Sequence, residues 1–166
     1  NIEKIYLELK SKGVTSIANP QNLQIKDLPE NHFFKLGEPN IKTGEASFKW
    51  LTHATDLLTN NKAKALVTGP IAKQFWHEAG HNYPGQTERI AEITGSSSPS
   101  MLFTATSKNN GWQLNTLLAT THIPINEVSQ TLTPKLISEK LNTLLSFCKR
   151  FNNSPKLAIA GLNPHA

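Results

Sequence analysis

The sequence predicts an α/β fold, a mixed and mostly parallel sheet flanked by helices. Three observations carry that expectation. The short apolar runs at residues 65–67 and 156–161 have the length and composition of buried strands. Stretches of ten or more residues with apolar side chains at helical spacing lie between such runs, and this alternation is the pattern of a layered α/β domain. Finally, the β-rich runs at residues 100–105 and 112–120 are separated by a segment containing Asn110-Gly111. Asn-Gly between two such runs predicts an antiparallel hairpin, so the sheet is expected to be mixed.

The elements follow in order. Residues 2–12 carry Ile2, Ile5, Tyr6 and Leu9 at helical spacing, and Gly13 supplies a stop. Residues 14–29 read as strand and loop, broken by Asn19-Pro20 and Leu28-Pro29, and His32-Phe33-Phe34 reads as another short strand. Thr43 is a good N-cap for a helix whose apolar face is Ala46, Trp50, Ala54, Leu57 and Leu58. Ala65-Leu66-Val67 reads as a buried strand ending at the turn Thr68-Gly69-Pro70. Pro70 suits the first position of a helix that contains Phe75 and Trp76 and runs to Gly80. Pro84-Gly85 marks a turn, and Thr87 is expected to cap a helix over 88–94 that Gly95 stops. After the hairpin, residues 126–132 form a short helix. Thr133-Pro134 then opens the clearest helix of the chain, with Leu136, Ile137, Leu141, Leu144, Leu145, Cys148 and Phe151 as its apolar set.

The 166 residues suit one domain with enough chain to bury a core. A single cysteine, Cys148, excludes an internal disulfide framework and fits a reducing, cytoplasmic setting. The net charge of +5 comes mostly from isolated lysines, and the only arginines are Arg89 and Arg150. No basic stripe with interleaved aromatics appears, so a nucleic-acid partner is not expected. No apolar run approaches the ~18 residues of a membrane span, and no signal-peptide pattern opens the chain. The chain begins at Asn1 without a Met and ends at Ala166 directly after an expected core strand. Both ends are therefore read as truncated.

Candidate chemistry gathers in loops after predicted strands. Ligands of open α/β sheets bind at the carboxyl ends of strands, where Thr68-Gly69-Pro70, Thr121-His122-Ile123-Pro124 and Asn163-Pro164-His165 are placed. His122 and His165 offer neutral imidazole nitrogens to one divalent metal, which needs a third ligand from elsewhere. His32, His53, His77 and His81 read as surface or packing histidines. Lys73, in the first turn of its helix, is either a cation for a phosphate or carboxylate or a solvated side chain. Gln86 and Thr87, on a turn at a helix start, could grip an anionic ligand, although Thr87 could equally serve only as a cap.

Five ordered blocks extend this reading. They are Ala65-Leu66-Val67-Thr68-Gly69-Pro70-Ile71-x-Lys73, Ala79-Gly80, Pro84-Gly85-x-Thr87-Glu88, Leu118-Ala119-Thr120-Thr121-His122-Ile123-Pro124 and Gly161-Leu162-Asn163-Pro164-His165-Ala166. Together they resemble the 4-hydroxythreonine-4-phosphate dehydrogenases of pyridoxal phosphate biosynthesis, from about residue 43 to the end. The resemblance implies a two-lobed fold like that of isocitrate and isopropylmalate dehydrogenases, in a homodimer. It implies oxidation of a phosphorylated small substrate by NAD or NADP with a divalent cation (Zn, Mg or Co), followed by decarboxylation. His122 and His165 match two of that family's three metal histidines, and Thr87 matches a substrate-binding threonine. At Gln86 the family usually has a substrate-binding histidine. Glutamine keeps the hydrogen bonds but cannot carry charge or move a proton. The alternatives are a sister dehydrogenase of a four-carbon hydroxy-acid phosphate, and an inactive structural or metal-binding module. The chain is expected to hold the central part of such an enzyme and to lack activity alone.

Overall fold

The computed structural model describes residues 2–30, 34–35, 37–152 and 154–163, and the chain divides into two compact units, Asn1–Gln86 and Thr87–Ala166. The expected strand at His32-Phe33 lies outside the described residues.

The first unit is helical. Helix α1 spans Ile2–Ser11, with Glu3 in its first turn and Lys10 in its last, each at the end where its charge complements the helix dipole. It stops at Gly13, whose φ of +81° is the left-handed conformation that glycine reaches without a Cβ penalty. A 3-10 turn at Pro20–Asn22 follows, capped by the Asn19 side chain, which accepts from the Gln21 N–H.

Helix α2 spans Ile41–Thr59 and opens with a reciprocal capping box. The Asn40 side chain accepts from the Lys42 and Thr43 amides, while the Asn40 amide donates to Thr43 Oγ1 at 2.8 Å. Thr43 is therefore the third helical residue and not the cap, because Asn40 already satisfies the free amides of the first turn. Helix α3 spans Lys73–Glu78, three residues later than Pro70.

The core of this unit is where α2 meets α3. Gly44, Ala46, Phe48, Leu51 and Thr55 are the buried residues of α2, and Trp76 of α3 is fully buried. The indole N–H of Trp76 donates to Ser47 Oγ at 2.8 Å, so burying the ring leaves its polar atom paired. Phe48 meets Trp76 edge-on at 5.2 Å between ring centroids and lies flat against the His81 ring at 3.6 Å. Of the expected inward face, Ala46 is fully buried, but the outer edge of the stripe was misplaced. Trp50 is 43% exposed, because α3 packs on the side of α2 that carries Gly44 and Phe48.

His81 also reaches back to α2, with Nε2 2.6 Å from Glu45 Oε2, and Lys49 lies 3.3 Å from the other carboxylate oxygen. His81 is thus a satisfied packing histidine, as expected. Its hydrogen bond, with Lys49 adding to it, holds the Glu45 carboxyl below its ordinary value despite some desolvation. A depressed carboxyl stabilises the fold above its unfolded value and loses that contribution as pH falls through the folded one. Acid unfolding of wild type should therefore steepen below the ordinary carboxylate range, and Glu45→Gln should flatten that limb. Identical acid limbs in urea titrations of the two proteins would contradict the pairing.

Helix α4 spans Gln86–Thr94, all but its first residue in the second unit, and is stopped by Gly95 with φ +66°. Strands β1 (Leu102–Thr106) and β2 (Gln113–Leu117) form the expected antiparallel hairpin, in register from Leu102 opposite Leu117 to Thr106 opposite Gln113. Gly111, with φ +70°, takes the position where the turn requires a left-handed residue. Helix α5 spans Ile125–Thr131 and α6 spans Pro134–Lys149. Thr133 caps α6, its side chain accepting from Leu136 N at 3.2 Å with Pro134 at the first position. Lys140 of α6 donates to Ser100 Oγ at 2.8 Å, fixing the segment that leads into β1.

The hairpin is the only sheet among the described residues, so the mostly parallel sheet is not found there. Residues 65–67 and 156–161 are unpaired, with Val67 95% and Ile159 64% exposed. Apolar composition signals that a segment suits burial, but a strand also needs a neighbour to take its N–H and C=O groups. No described segment supplies one.

Candidate functional site

The candidate site residues fall in both units, and each is described within its own. In the first unit, the loop Thr68-Gly69-Pro70 is tied down by the side chain of Gln86, whose Nε2 donates to the Gly69 carbonyl at 2.8 Å. This contact joins two of the sequence blocks, 65–73 and 84–88, across 17 residues. It was not readable beforehand, since Gly69 registered only as a turn former. Gly85 beside Gln86 is buried, while a Cβ added at Gly69 would meet open space. Beyond its bond to Gly69, the Gln86 amide has a second polar atom, Oε1, which is buried without a hydrogen-bond partner among the described residues.

Lys73 is exposed and is the first residue of α3, where Ala72 makes no side-chain cap. It keeps the expected first-turn position on a helix of six residues. Thr87 is exposed and lies inside α4, which begins one residue earlier at Gln86. It is therefore not the N-cap that the sequence suggested.

His122 lies on the loop between β2 and α5, exposed, with φ +56°. Histidine enters this left-handed region more readily than most side chains, yet a non-glycine residue there is uncommon and marks a position set by its surroundings. His165 lies outside the described residues, so the shared metal site is not visible here. Among the described residues no group of three His, Cys, Asp or Glu side chains could hold a metal ion. The donor chemistry of a lone exposed imidazole suits Zn²⁺ or Co²⁺ better than Mg²⁺, which favours oxygen ligands. Among the described residues the donor number is short of the three protein ligands of a catalytic site.

A cavity of about 300 Å³ opens between the hairpin and α6, lined by Ser100, Leu102, Leu117, Thr143, Leu144 and Phe147 among others. Neither Thr87 nor His122 lines it, and its wall is mainly apolar.

The model of the family described as pyridoxal phosphate biosynthetic protein PdxA matches residues 2–166. The chain belongs to this family. Among its PdxA relatives, the 4-hydroxythreonine-4-phosphate dehydrogenase of Synechococcus sp. (strain RCC307) is 51% identical over 90% of this chain and 46% of that protein. The enzyme of the same name from Nostoc sp. (strain PCC 7120 / SAG 25.82 / UTEX 2576) is 41% identical over 99% of this chain and 48% of that protein. The chain thus spans about half the length of these PdxA relatives. The crystal structure of a 4-hydroxythreonine-4-phosphate dehydrogenase from Burkholderia phymatum superposes with a TM-score of 0.66 at 28% identity, covering 83% of this chain and 40% of that one. The family match confirms the resemblance read from the five blocks.

Proposed function

We propose that the full-length protein carrying this chain oxidises 4-hydroxythreonine-4-phosphate with NAD or NADP and a divalent cation. The hydroxyl carbon loses hydride to the nicotinamide and the hydroxyl loses its proton. The resulting β-keto acid releases carbon dioxide, and the enolate left behind takes up a proton at carbon to give 3-amino-2-oxopropyl phosphate. The observation that carries this reading is the family match along residues 2–166, supported by the names of relatives as close as 51% identity.

When bound, the cation supplies Lewis-acid polarisation of the oxygen being oxidised and the nicotinamide accepts hydride. The residues of this chain bind and orient. His122 and His165 hold the cation, with a third ligand from another part of the longer protein. Gln86 and Thr87 position the substrate by hydrogen bonds, and Lys73 attracts an anionic end of it. Gln86 cannot act as a general acid or base, because an amide does not titrate in this range. The two-lobed, isocitrate-dehydrogenase-like architecture, the homodimer and the cytoplasmic setting belong to the same proposal. No helix among the described residues is long and apolar enough to cross a membrane.

The experiment is to incubate the full-length protein with the substrate, NAD⁺ or NADP⁺ and Zn²⁺, Co²⁺ or Mg²⁺. Reduced nicotinamide and carbon dioxide should appear in equal amounts, and a chelator should stop both. The 166-residue chain alone should give neither, because the resemblance assigns it only two of the three metal histidines. Turnover by that chain at the rate of the full-length protein, or by the chelated enzyme, would contradict the proposal.

A further inference from the structure

We infer that His81 is a positioning residue for substrate binding. It ties the Tyr83-Pro84-Gly85-Gln86 turn to α2, a helix that carries no group of the proposed site. The inference rests on the function proposed above and adds what holds the turn in place.

After α3 the chain turns at Gly80, whose φ of +90° suits glycine, and His81 is the first residue beyond it. The ionised Glu45 carboxylate can only accept, so His81 Nε2 carries a proton and donates across 2.6 Å. The same imidazole lies on the Phe48 ring, with centroids 3.6 Å apart and planes 5° from parallel. Two contacts of different kinds on one helix thus fix both the place and the plane of the ring.

The tie passes on along the turn. Phe48 also meets Tyr83, with ring centroids 5.6 Å apart, and the Tyr83 N–H donates to the His81 carbonyl at 3.0 Å. The Tyr83 carbonyl accepts from His77 Nε2 at 3.0 Å. Next come Pro84, whose ring fixes φ, the buried Gly85, and Gln86 with its bond to Gly69. Loops ordinarily move more than the elements they join, whereas a binding group works only when held to within ~0.5 Å. Removing His81 therefore loosens the turn without deleting any group proposed to meet the substrate.

The test is steady-state kinetics of the full-length protein with 4-hydroxythreonine-4-phosphate, NAD⁺ and Zn²⁺, for wild type, His81→Ala, Glu45→Ala and the double variant. His81→Ala should raise the substrate KM about tenfold, less than the ~100-fold that a misplacement of ~1 Å can cost. Its kcat and its KM for NAD⁺ should stay as in wild type, the signature of binding lost equally from ground and transition states. Purely structural damage would instead lower the active fraction, so kcat would fall with both KM values unchanged. Glu45→Ala removes the partner from the α2 side, where the side chain is 38% exposed, and should raise the substrate KM in the same direction. The double variant should be no worse than His81→Ala, because the two side chains act as one contact. An unchanged substrate KM in either single variant, a fall in kcat alone, or effects that multiply in the double variant would overturn the inference and leave the proposed function standing. Should His81→Ala fail to fold, Glu45→Ala carries the same KM-against-kcat reading. Absence of turnover by wild type would remove the function and this inference together.

Discussion

Replacing Gly44 by alanine is expected to destabilise the first unit by at least ~2 kcal/mol. Alanine ordinarily gains ~1 kcal/mol over glycine within a helix. Here the added Cβ would stand 2.2 Å from the Phe75 carbonyl oxygen and 2.5 Å from its carbon. Both are backbone atoms, so no flexible side-chain end can swing away. Overpacking of this kind costs ~1–3 kcal/mol and occasionally more, and separation of α2 from α3 would also disturb Trp76 and its bond to Ser47. The checking measurement is urea denaturation, in which the midpoint should fall while the slope stays constant. Equal or greater stability of Gly44→Ala would mean that α2 and α3 do not pack as described.

The second large effect concerns His122. Its exchange for asparagine in the full-length protein should lower kcat/KM by more than ~100-fold, since even loss of an outer-shell partner of a metal ligand costs ~10–100-fold. Asparagine is chosen because it tolerates the left-handed backbone of this position, φ +56°, better than alanine does. The side chain is exposed, so stability should remain within ~0.5 kcal/mol of wild type. Steady-state turnover at saturating metal, measured beside thermal melting, checks both parts. Near-normal turnover would remove His122 from the metal site, and a collapse of the melting transition would assign it a structural role.

Much of the secondary structure was readable because its signals are local. Thr133-Pro134 and Asn110-Gly111 act through backbone geometry within a few residues, and each produced the expected cap or turn. The start of α2 was missed by three residues because two caps competed. Asn40 accepts from both of the next free amides, and Thr43 answers it from the third helical position. The inward face of α2 was right at Ala46 and missed at Trp50 for a different reason. Trp50 is as apolar as any core residue, but which stripe turns inward depends on where α3 lies, and that is set by the close approach at Gly44 and the Trp76–Ser47 bond. Residues 65–67 and 156–161 failed as strands because pairing is a property of two segments and the sequence described only one at a time.

The candidate site was legible as residue types in loops, and less so as geometry. The Gln86–Gly69 bond spans 17 positions and leaves no periodic trace in the sequence. Thr87 lost its capping role because α4 starts one residue sooner. His122 occupies the loop between β2 and α5 that the sequence assigned to it, and its left-handed backbone could not be anticipated from Thr121-His122-Ile123-Pro124. The pairing of His122 with His165 was read from their loops after two expected strands and from the family resemblance.

The most direct test of that pairing is a crystal structure of the full-length protein grown with Zn²⁺ or Co²⁺, with the ion located by its anomalous scattering. The account predicts one ion per active site with an imidazole nitrogen of His122 and another of His165 each ~2.0–2.1 Å away, as for a zinc–histidine bond. An ion bound elsewhere, with His122 and His165 turned from it or from each other, would contradict the account.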